Sequence, residues 1–234
     1  DYFKELGINY VHLMPILKSP EGENDGGYAV SSYREIDSKF GTMEDLRYIT
    51  DKFRENDMVL VIDLVLNHTA DTHEWAQKAL AGDKKYQDYY YMYDSREIPD
   101  KYEETLLEVF PDLAPGNFTY RPEINKWVFT VFNKYQWDLN YTNPDVFIEM
   151  TKNLLYLANT GVDVLRLDAA PFLWKRLGTN SQNEQEVHIL LQILKSCAKI
   201  TAPGVVFKAE AIVQPNDIVK YLGQGSTSVE ECEI

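Results

Sequence analysis

Three short apolar segments of the chain each end in a carboxylate side chain, and the three carboxylates are Asp63, Asp168 and Glu210. Short apolar runs of this kind predict buried strands. Residues at the carboxyl ends of parallel strands converge on one crevice, which is where α/β barrels build their active sites. Two carboxylates in different protonation states can cleave or transfer a glycosidic bond. The sequence therefore predicts a carboxylate-driven enzyme.

Strand alternation places Arg166 and Asp168 on the same face of one strand, pointing into the interior of a barrel. A cation beside Asp168 is expected to lower the pKa of that carboxyl and keep it ionised, which suits a nucleophile. Glu210 is crowded by other carboxylates, so we expect a raised pKa and the role of acid/base, unless Lys208 offsets the crowding. This chemistry requires the two carboxyl groups to lie about 5 Å apart.

Two simpler interpretations stand beside this one. An isolated Arg-x-Asp such as Arg166 and Asp168 is as often a buried ion pair that only fixes geometry. Glu210 alone would more often be an ordinary exposed carboxylate. The enzymatic interpretation is favoured because three separate strands place an acid at the same end of one sheet.

The apolar runs alternate with segments of helical periodicity. Strands are predicted at 9–17, 58–66, 162–167 and 205–209, and helices at 42–55, 144–160, 187–194 and 215–222. This order predicts an α/β fold in which helices cover a parallel sheet. A complete (β/α)₈ TIM barrel takes about 250 residues and eight strands. We therefore expect a partial barrel of about four βα units.

The segment 69–142 interrupts this pattern, because it is polar, aromatic and proline-bearing, with one predicted strand at 126–132. A connection this long should carry its own structure. We expect a small inserted domain between the second and third strands. The predicted organisation is a first barrel part at 1–68, an inserted domain at 69–142 and a second barrel part at 143–234.

The composition narrows the possible partners and cofactors. A net charge of -14 and a pI near 4.7 argue against nucleic acid or an anionic membrane surface, and a neutral substrate fits better. No stretch approaches the roughly 18 apolar residues of a membrane span. Cys197 and Cys232 show no zinc or disulfide spacing, and no glycine-rich nucleotide motif follows a strand. We expect neither a metal nor a cofactor.

The two ends of the chain suggest a fragment. The sequence lacks an initiator Met, and residues 226–234 close no predicted element. An open half-barrel leaves strand edges unpaired, so a stable monomer is not expected from the chain alone. The compartment stays open.

Three segments resemble the first three signature regions of the α-amylase superfamily, glycoside hydrolase family 13. They are Asp63-Leu-Val-Leu-Asn-His68, Gly161-Val-Asp-Val-Leu-Arg-Leu-Asp168 and Lys208-Ala-Glu210-Ala. Within that superfamily, further segments resemble the amylosucrases, which use sucrose as glucosyl donor. These are His12-Leu-Met-Pro, Asp25-Gly-Gly-Tyr28, Phe110-Pro-Asp and Phe132-Asn-Lys-Tyr-Gln136. The matching segments extend over nearly the whole chain, as far as about Gly223.

The resemblance implies a retaining enzyme in which Asp168 forms a glucosyl-enzyme intermediate, Glu210 is the acid/base and Arg166 orients the nucleophile. It implies further roles for residues that bind the sugar. Tyr28 would stack on the glucosyl ring, Asp25 would help close the pocket, His68 would bond a sugar hydroxyl, Asp63 would support Arg166 and the pocket floor, and Phe110, Phe132 and Gln136 would line the pocket mouth. The alternative for the two phenylalanines is a place in the core of the insertion.

The resemblance also suggests the reaction, which is glucosyl transfer from sucrose to an α-glucan acceptor. Sucrose and α-glucan oligosaccharides would then be the partners. A sucrose hydrolase, an α-glucosidase or a trehalose-forming relative is an alternative, and so is a non-catalytic truncated product.

Two departures from the family pattern matter. The Lys-His pair that follows the nucleophile in calcium-binding amylases has no His here, and Asn67 alone is a poor calcium ligand set. The fourth signature, a His-Asp pair, would lie beyond Ile234, so the chain by itself is expected to be inactive.

Overall fold

The structure is a computed structural model that describes residues 2–222 and alternates strands with helices along the chain. The strands are β1 Tyr10–Leu13, β2 Leu17–Lys18, β3 Ser32–Ile36, β4 Val59–Val65, β5 His68–Ala70, β6 Met92–Tyr93, β7 Phe118–Arg121, β8 Lys126–Phe129, β9 Gln136–Asp138, β10 Val164–Asp168 and β11 Val206–Ala209. The helices are α1 Tyr2–Glu5, α2 Met43–Arg54, α3 Glu74–Leu80, α4 Lys84–Gln87, α5 Glu97–Glu103, α6 Pro144–Ala158, α7 Gln185–Thr201 and α8 Pro215–Ile218. Short 3₁₀ turns occupy Asp25–Gly27, Ala170–Phe172 and Val219–Tyr221.

A parallel sheet in the order β1-β4-β10-β11 forms the centre of the molecule. Its register places Arg166 opposite both Asp63 and Lys208. The four predicted strands are confirmed, with one correction. The first was predicted at 9–17, but β1 ends at Leu13, and the residues from 17 onward form β2, which pairs antiparallel with β3. Pro15 lies between them, and proline has no N–H to donate to a ladder.

Because side chains alternate along each strand, one face of the sheet packs against helices and the other carries polar side chains. Leu165 and Leu167 of β10 are almost fully buried in one core cluster with Met150 and Leu154 of α6 and Leu194 of α7. Side chains of opposite parity lie on the concave face. There the Lys208 ammonium of β11 lies 5.9 Å from the centre of the Tyr10 ring of β1, although two strands separate β11 from β1 in the sheet. The sheet therefore curls, as a barrel wall does.

The predicted helices in the barrel part begin where the sequence places their caps. Thr42 and Asp45 form a reciprocal capping box at the start of α2. Asn143 accepts a hydrogen bond from the Asp145 N–H before Pro144 in the first turn of α6. The predicted helix at 215–222 is shorter, since α8 ends at Ile218 and a 3₁₀ turn follows.

The segment predicted as an insertion carries its own sheet, in the order β6-β8-β7. A separate hydrophobic cluster lies beneath it, consisting of Tyr102, Leu106, Phe118, Phe129 and Val131. Trp137 of β9, however, belongs to the same core cluster as the barrel strands. The division at 69 and 142 stays a prediction. Residues 223–234, which include Cys232 and the predicted open end, lie outside the described part.

The close packing around Gly161, which follows α6, can be tested by substitution. Gly161 has φ of 97°, and a Cβ added there would lie 2.7 Å from the Thr50 hydroxyl, whose oxygen bonds the Thr160 carbonyl. Gly178 also has positive φ, but no atom lies within 4 Å of its added Cβ. We predict that Gly161→Ala lowers the free energy of unfolding by about 1–3 kcal/mol more than Gly178→Ala. Urea denaturation of both variants measures this, and equal losses would contradict the close approach.

Candidate active site

The guanidinium of Arg166 lies at the centre of the polar cluster on the concave face. Its Nη1 bonds Asp63 Oδ1 and lies 3.2 Å from Asp168 Oδ1, while its Nη2 lies 2.6 Å from Glu210 Oε1. The three carboxylates come from β4, from β10 and from the residue after β11. The predicted convergence of these side chains at one end of the sheet is therefore what the structure shows.

Asp63 forms the floor of this cluster. Its side chain is 1% exposed, and its second oxygen lies 3.0 Å from Nε2 of His12 on β1. A buried carboxylate is tolerated when its oxygens are paired, as they are here. Asp63 lies against Arg166, where the resemblance put it. The contribution of His12 was not foreseen, although its segment was one of those that carried the resemblance.

The expectation of a lowered pKa for Asp168 is wrong. Burial, and then the nearby Glu210 carboxylate, raise the pKa of this carboxyl to about 8, and Arg166 only partly opposes them. Arg166 opposes them only partly because its guanidinium is shared. Arg166 lies closer to Asp63 and Glu210 than to Asp168, whose side chain is only 10% exposed.

Glu210 is held in place by two donors. One oxygen bonds Arg166 and the other accepts from the Ala169 N–H at 3.0 Å. Ala169 follows Asp168 with φ of 50°, a left-handed conformation that is unusual for a residue other than glycine and that is found at functional sites. The Glu210 side chain remains 30% exposed, so it is the most accessible of the three acids.

Tyr28, the residue after a 3₁₀ turn, contacts this cluster, and His68, the first residue of β5, contacts Tyr28. Arg166 Nη1 donates to the Tyr28 hydroxyl at 3.3 Å, and burial and then the Asp63 charge raise the pKa of Tyr28 to about 12. His68 Nε2 lies 3.3 Å from the Tyr28 carbonyl oxygen. Burial lowers the pKa of His68 to about 4, so the imidazole is neutral at pH 7. A neutral ring beside a tyrosine suits a neutral ligand.

Gln136 occupies a different place from the one expected. It was expected at the pocket mouth, but the residue is 0% exposed. Its Nε2 donates to Asp25 Oδ2 at 3.1 Å and lies 3.0 Å from His68 Nε2, and its Oε1 accepts from Asn133. Burial raises the pKa of Asp25, which the Gln136 hydrogen bond opposes. Gln136 is therefore a buried residue that holds the side chains of Asp25 and His68 in position.

Phe132 lies at the centre of a cluster of aromatic rings and contacts His68, Phe110 and Phe172. The Phe132 ring lies 5.2 Å from His68, 6.1 Å from Phe110 and 5.1 Å from Phe172, measured between ring centres. All three rings are partly buried, and Phe132 and Phe172 pack against the hydrophobic cluster of the insertion, which for Phe132 agrees with the insertion-core alternative. Phe172 was not foreseen, because a single Phe after a strand gives no distinctive signal.

A buried ammonium fills an oxygen-lined position behind the pocket. Lys175 Nζ lies 2.6 Å from Asp138 Oδ2, 2.9 Å from Asn67 Oδ1 and 2.6 Å from the Phe172 carbonyl oxygen. Burial lowers the pKa of Lys175 and the Asp138 ion pair opposes this. Within residues 2–222 no group of His, Cys, Asp and Glu side chains could hold a metal ion. The oxygens around Asn67 do not fit a resident calcium ion, because the ammonium already occupies them.

The match to known families agrees with this geometry. Residues 1–219 match the family model described as alpha amylase, catalytic domain. The chain belongs to this family. The expected resemblance to the α-amylase superfamily is thus confirmed, and with it the α/β fold of a partial TIM barrel.

The chain is similar in sequence or structure to several members of the α-amylase family. It is 35% identical to the trehalose synthase/amylase TreS of Mycolicibacterium smegmatis, covering 100% of this chain and 39% of that protein. It is 33% identical to the trehalose synthase of Thermus thermophilus, covering 96% of this chain and 22% of that protein. The trehalulose synthase MutB of Pseudomonas mesoacidophila, solved in complex with the substrate sucrose, superimposes with a TM-score of 0.82 at 26% identity, covering 94% of this chain and 41% of that one.

These relatives bear on the expected likeness to amylosucrase. They are trehalose and trehalulose synthases, so the family is confirmed and the particular likeness to amylosucrase is not. The chain spans well under half the length of each of them. No helix within residues 2–222 is both long and apolar enough to cross a membrane.

The raised pKa of Asp168 predicts a stability effect that depends on pH. A carboxyl whose folded pKa is raised destabilises the folded state once it ionises, so the cost develops between about pH 4 and pH 8. We predict that the gain in Tm from Asp168→Asn, relative to wild type, grows by several degrees between those pH values. Asp94→Asn is the control, because the Lys126 hydrogen bond lowers the pKa of Asp94, so the effect of this change on Tm should vary only below about pH 4 and stay constant across this range. A gain that does not change with pH would contradict the raised pKa.

The buried ion pair predicts a large loss of stability when one partner is removed. Lys175→Met leaves Asp138, which is 0% exposed, without its cation, so we expect a loss of about 3–5 kcal/mol in the free energy of unfolding. Adding Asp138→Asn should restore part of it. The control is Lys152→Met at the exposed pair with Glu149, which should cost less than about 1 kcal/mol. Equal losses in the two single variants, measured by chemical denaturation, would be inconsistent with a buried ion pair.

Proposed function

We propose that the protein containing this chain transfers an α-glucosyl residue with retention of configuration, through a covalent ester on Asp168. The observation that carries this proposal is that Asp168 and Glu210 contact one guanidinium at the carboxyl end of the sheet. Retaining enzymes need two carboxyl groups near one sugar ring, one as nucleophile and one as acid/base. Asp168 and Glu210 would supply such a pair, and the more exposed member, Glu210, is the one that must reach a leaving oxygen.

The reaction has two steps. An Asp168 oxygen forms a bond to the anomeric carbon while the glycosidic bond breaks, and Glu210 gives its proton to the leaving oxygen. In the second step an acceptor hydroxyl attacks the anomeric carbon, Glu210 takes the hydroxyl proton, and the ester bond to Asp168 breaks. Arg166 orients the nucleophile and stabilises its charge.

The remaining residues would bind the glucosyl unit. The Tyr28 ring would stack on its apolar face, neutral His68 would bond a hydroxyl, and Asp25 would close the pocket. Asp63 and His12 would hold Arg166 from the floor without reacting, because Asp63 is buried and both of its oxygens are bonded.

Sucrose is the donor that we propose first, with an α-glucan or water as acceptor. The segments around Asp25 and Phe132 resemble those of sucrose-using amylosucrases. The trehalulose synthase that superimposes on this chain binds sucrose as its substrate. A neutral disaccharide also suits a protein with a net charge of -14.

A trehalose-forming enzyme is the second candidate. The observation that favours it is the 35% identity to a trehalose synthase over the whole of this chain. Both candidates use the same two-step chemistry, so they differ in which sugar enters and leaves the pocket.

Product analysis of the complete protein tests both. We expect turnover when it is incubated separately with sucrose, maltose and trehalose. Insoluble glucan from sucrose indicates an amylosucrase-type reaction, free glucose a hydrolase, and interconversion of maltose and trehalose the second candidate. We expect Asp168→Asn to lose more than about 10⁴-fold in kcat, and Glu210→Gln about 10²–10⁴-fold.

The matched control is Glu149→Gln, a change at an exposed carboxylate of α6, which should retain wild-type turnover. Wild-type turnover in either active-site variant, or no turnover of any of the three sugars by the wild type, would overturn the proposal.

A further inference from the structure

Asn183 lies in the loop before α7 and bonds two segments that carry the proposed reacting groups. Its N–H donates to the Pro171 carbonyl oxygen at 2.8 Å, three positions after Asp168. Its side-chain Oδ1 accepts from the Tyr221 hydroxyl at 2.9 Å. One residue therefore joins the turn that follows Asp168 to the segment that follows Glu210.

Tyr221 is the point at which the segment after Glu210 is anchored. Of residues 211–222, Tyr221 is the one with a buried side chain, and its ring belongs to the main core cluster. Burial raises the pKa of Tyr221, so its hydroxyl is protonated at pH 7 and donates to Asn183. The course of the chain after Glu210 is therefore fixed where this hydroxyl meets Asn183.

The acceptor oxygen of Asn183 is itself held in place. The Asn183 backbone has φ of 58°, a left-handed conformation in which asparagine is enriched among residues other than glycine. His188 of α7 places its Nε2 3.0 Å from the same Oδ1, and its ring packs edge to face on Tyr221 with 4.8 Å between ring centres. The oxygen is therefore contacted from α7 and from the 3₁₀ turn Val219–Tyr221.

A second link joins the same two segments closer to the reacting groups. The Ala169 N–H donates to Glu210 Oε2 at 3.0 Å, and Ala169 lies two positions before Pro171. The turn after β10 thus holds the Glu210 carboxylate directly and holds the chain behind it through Asn183. A shift of this turn relative to residues 211–222 would change the separation of the Asp168 and Glu210 carboxyl groups.

We propose that Asn183 is a positioning residue that keeps Glu210 within proton-transfer reach of the sugar bound at Asp168. The inference rests on the proposed function and adds a residue that acts through the backbone of both segments. Proton transfer requires the heavy atoms to lie at hydrogen-bond distance. A displacement of about 1 Å, caused by a change away from the reacting atoms, can lower a rate about 10²-fold.

The first test removes the acceptor oxygen. Asn183→Gly does so and still permits a positive φ. With the complete protein and whichever of sucrose, maltose and trehalose it turns over, we expect kcat to fall about 10- to 100-fold with KM nearly unchanged. Asn183→Asp keeps an acceptor oxygen and should retain most of the activity. Tyr221→Phe should also lower kcat, and adding it to Asn183→Gly should cost little more, because the bond is already lost.

Azide distinguishes a misplaced Glu210 from a general loss of structure. With 4-nitrophenyl α-glucoside, an Asp168 oxygen bonds the anomeric carbon and nitrophenolate leaves without needing a proton. Azide then bonds the anomeric carbon as the ester bond to Asp168 breaks, and this anion has no proton for Glu210 to take. We expect azide to raise nitrophenol release by Asn183→Gly, with glucosyl azide as product, and to leave the wild-type rate unchanged.

The matched control is Asn125→Gly in the turn between β7 and β8. Asn125 also has a positive φ, of 52°, and its Oδ1 also accepts from a tyrosine hydroxyl, that of Tyr120 at 2.7 Å. This variant should keep the wild-type kcat and show no effect of azide.

Three results would overturn the positioning role and leave the proposed function intact. They are an unchanged kcat in Asn183→Gly, equal losses in the two glycine variants, or a loss that azide does not relieve. If Asn183→Gly does not fold, Tyr221→Phe keeps the core ring and gives the same outcomes with and without azide. A wild type that turns over none of the sugars and releases no nitrophenol overturns both proposals.

Discussion

The Arg166 guanidinium carries one positive charge and is shared by three carboxylates that come from three places in the sequence. The parallel register makes this possible, because it places Arg166 of β10 opposite Asp63 of β4 and next to the strand that ends before Glu210. A fully buried Asp63 would be costly without this cation and without His12. The site and the sheet thus depend on each other, since the strands align the charges and the charges favour that alignment.

Strands and helices follow a periodic pattern of apolar residues, so they could be predicted from the sequence. Individual contacts between residues far apart in the sequence could not. Apolar runs gave the positions of β4, β10 and β11, and strand parity placed Arg166 and Asp168 on one face. β1 ends two residues before Pro15, a local signal that the predicted bounds 9–17 do not take into account. By contrast, His12 meets Asp63 across 51 positions and Lys175 meets Asn67 across 108. Such pairings leave no local pattern, because each depends on how distant segments pack.

The segment between β5 and β9 is attached to the barrel by buried polar contacts as well as by apolar ones. Asp138 pairs with Lys175, which follows the 3₁₀ turn after β10, and Gln136 bonds Asp25 and lies against His68. Buried polar groups that are fully paired favour one arrangement over others, because any shift leaves a charge or amide unpaired. Pocket residues on the barrel loops are therefore fixed relative to the phenylalanines of the insertion. The family resemblance implies a place for Gln136 at the pocket mouth, but its burial follows from this attachment.

The raised pKa of Asp168 has a consequence for the proposed reaction. In the structure Arg166 is closer to Glu210 than to Asp168, an arrangement that favours a proton on Asp168. Retaining chemistry requires the reverse, with Asp168 ionised and Glu210 protonated. A sugar bound between the two carboxyl groups would separate Glu210 from the guanidinium and leave that cation to Asp168. Asp168 would then ionise more readily, because a cation close to a carboxyl favours its charged form. Substrate binding and the ionisation of Asp168 would in this way be one event, driven by competition for a single guanidinium.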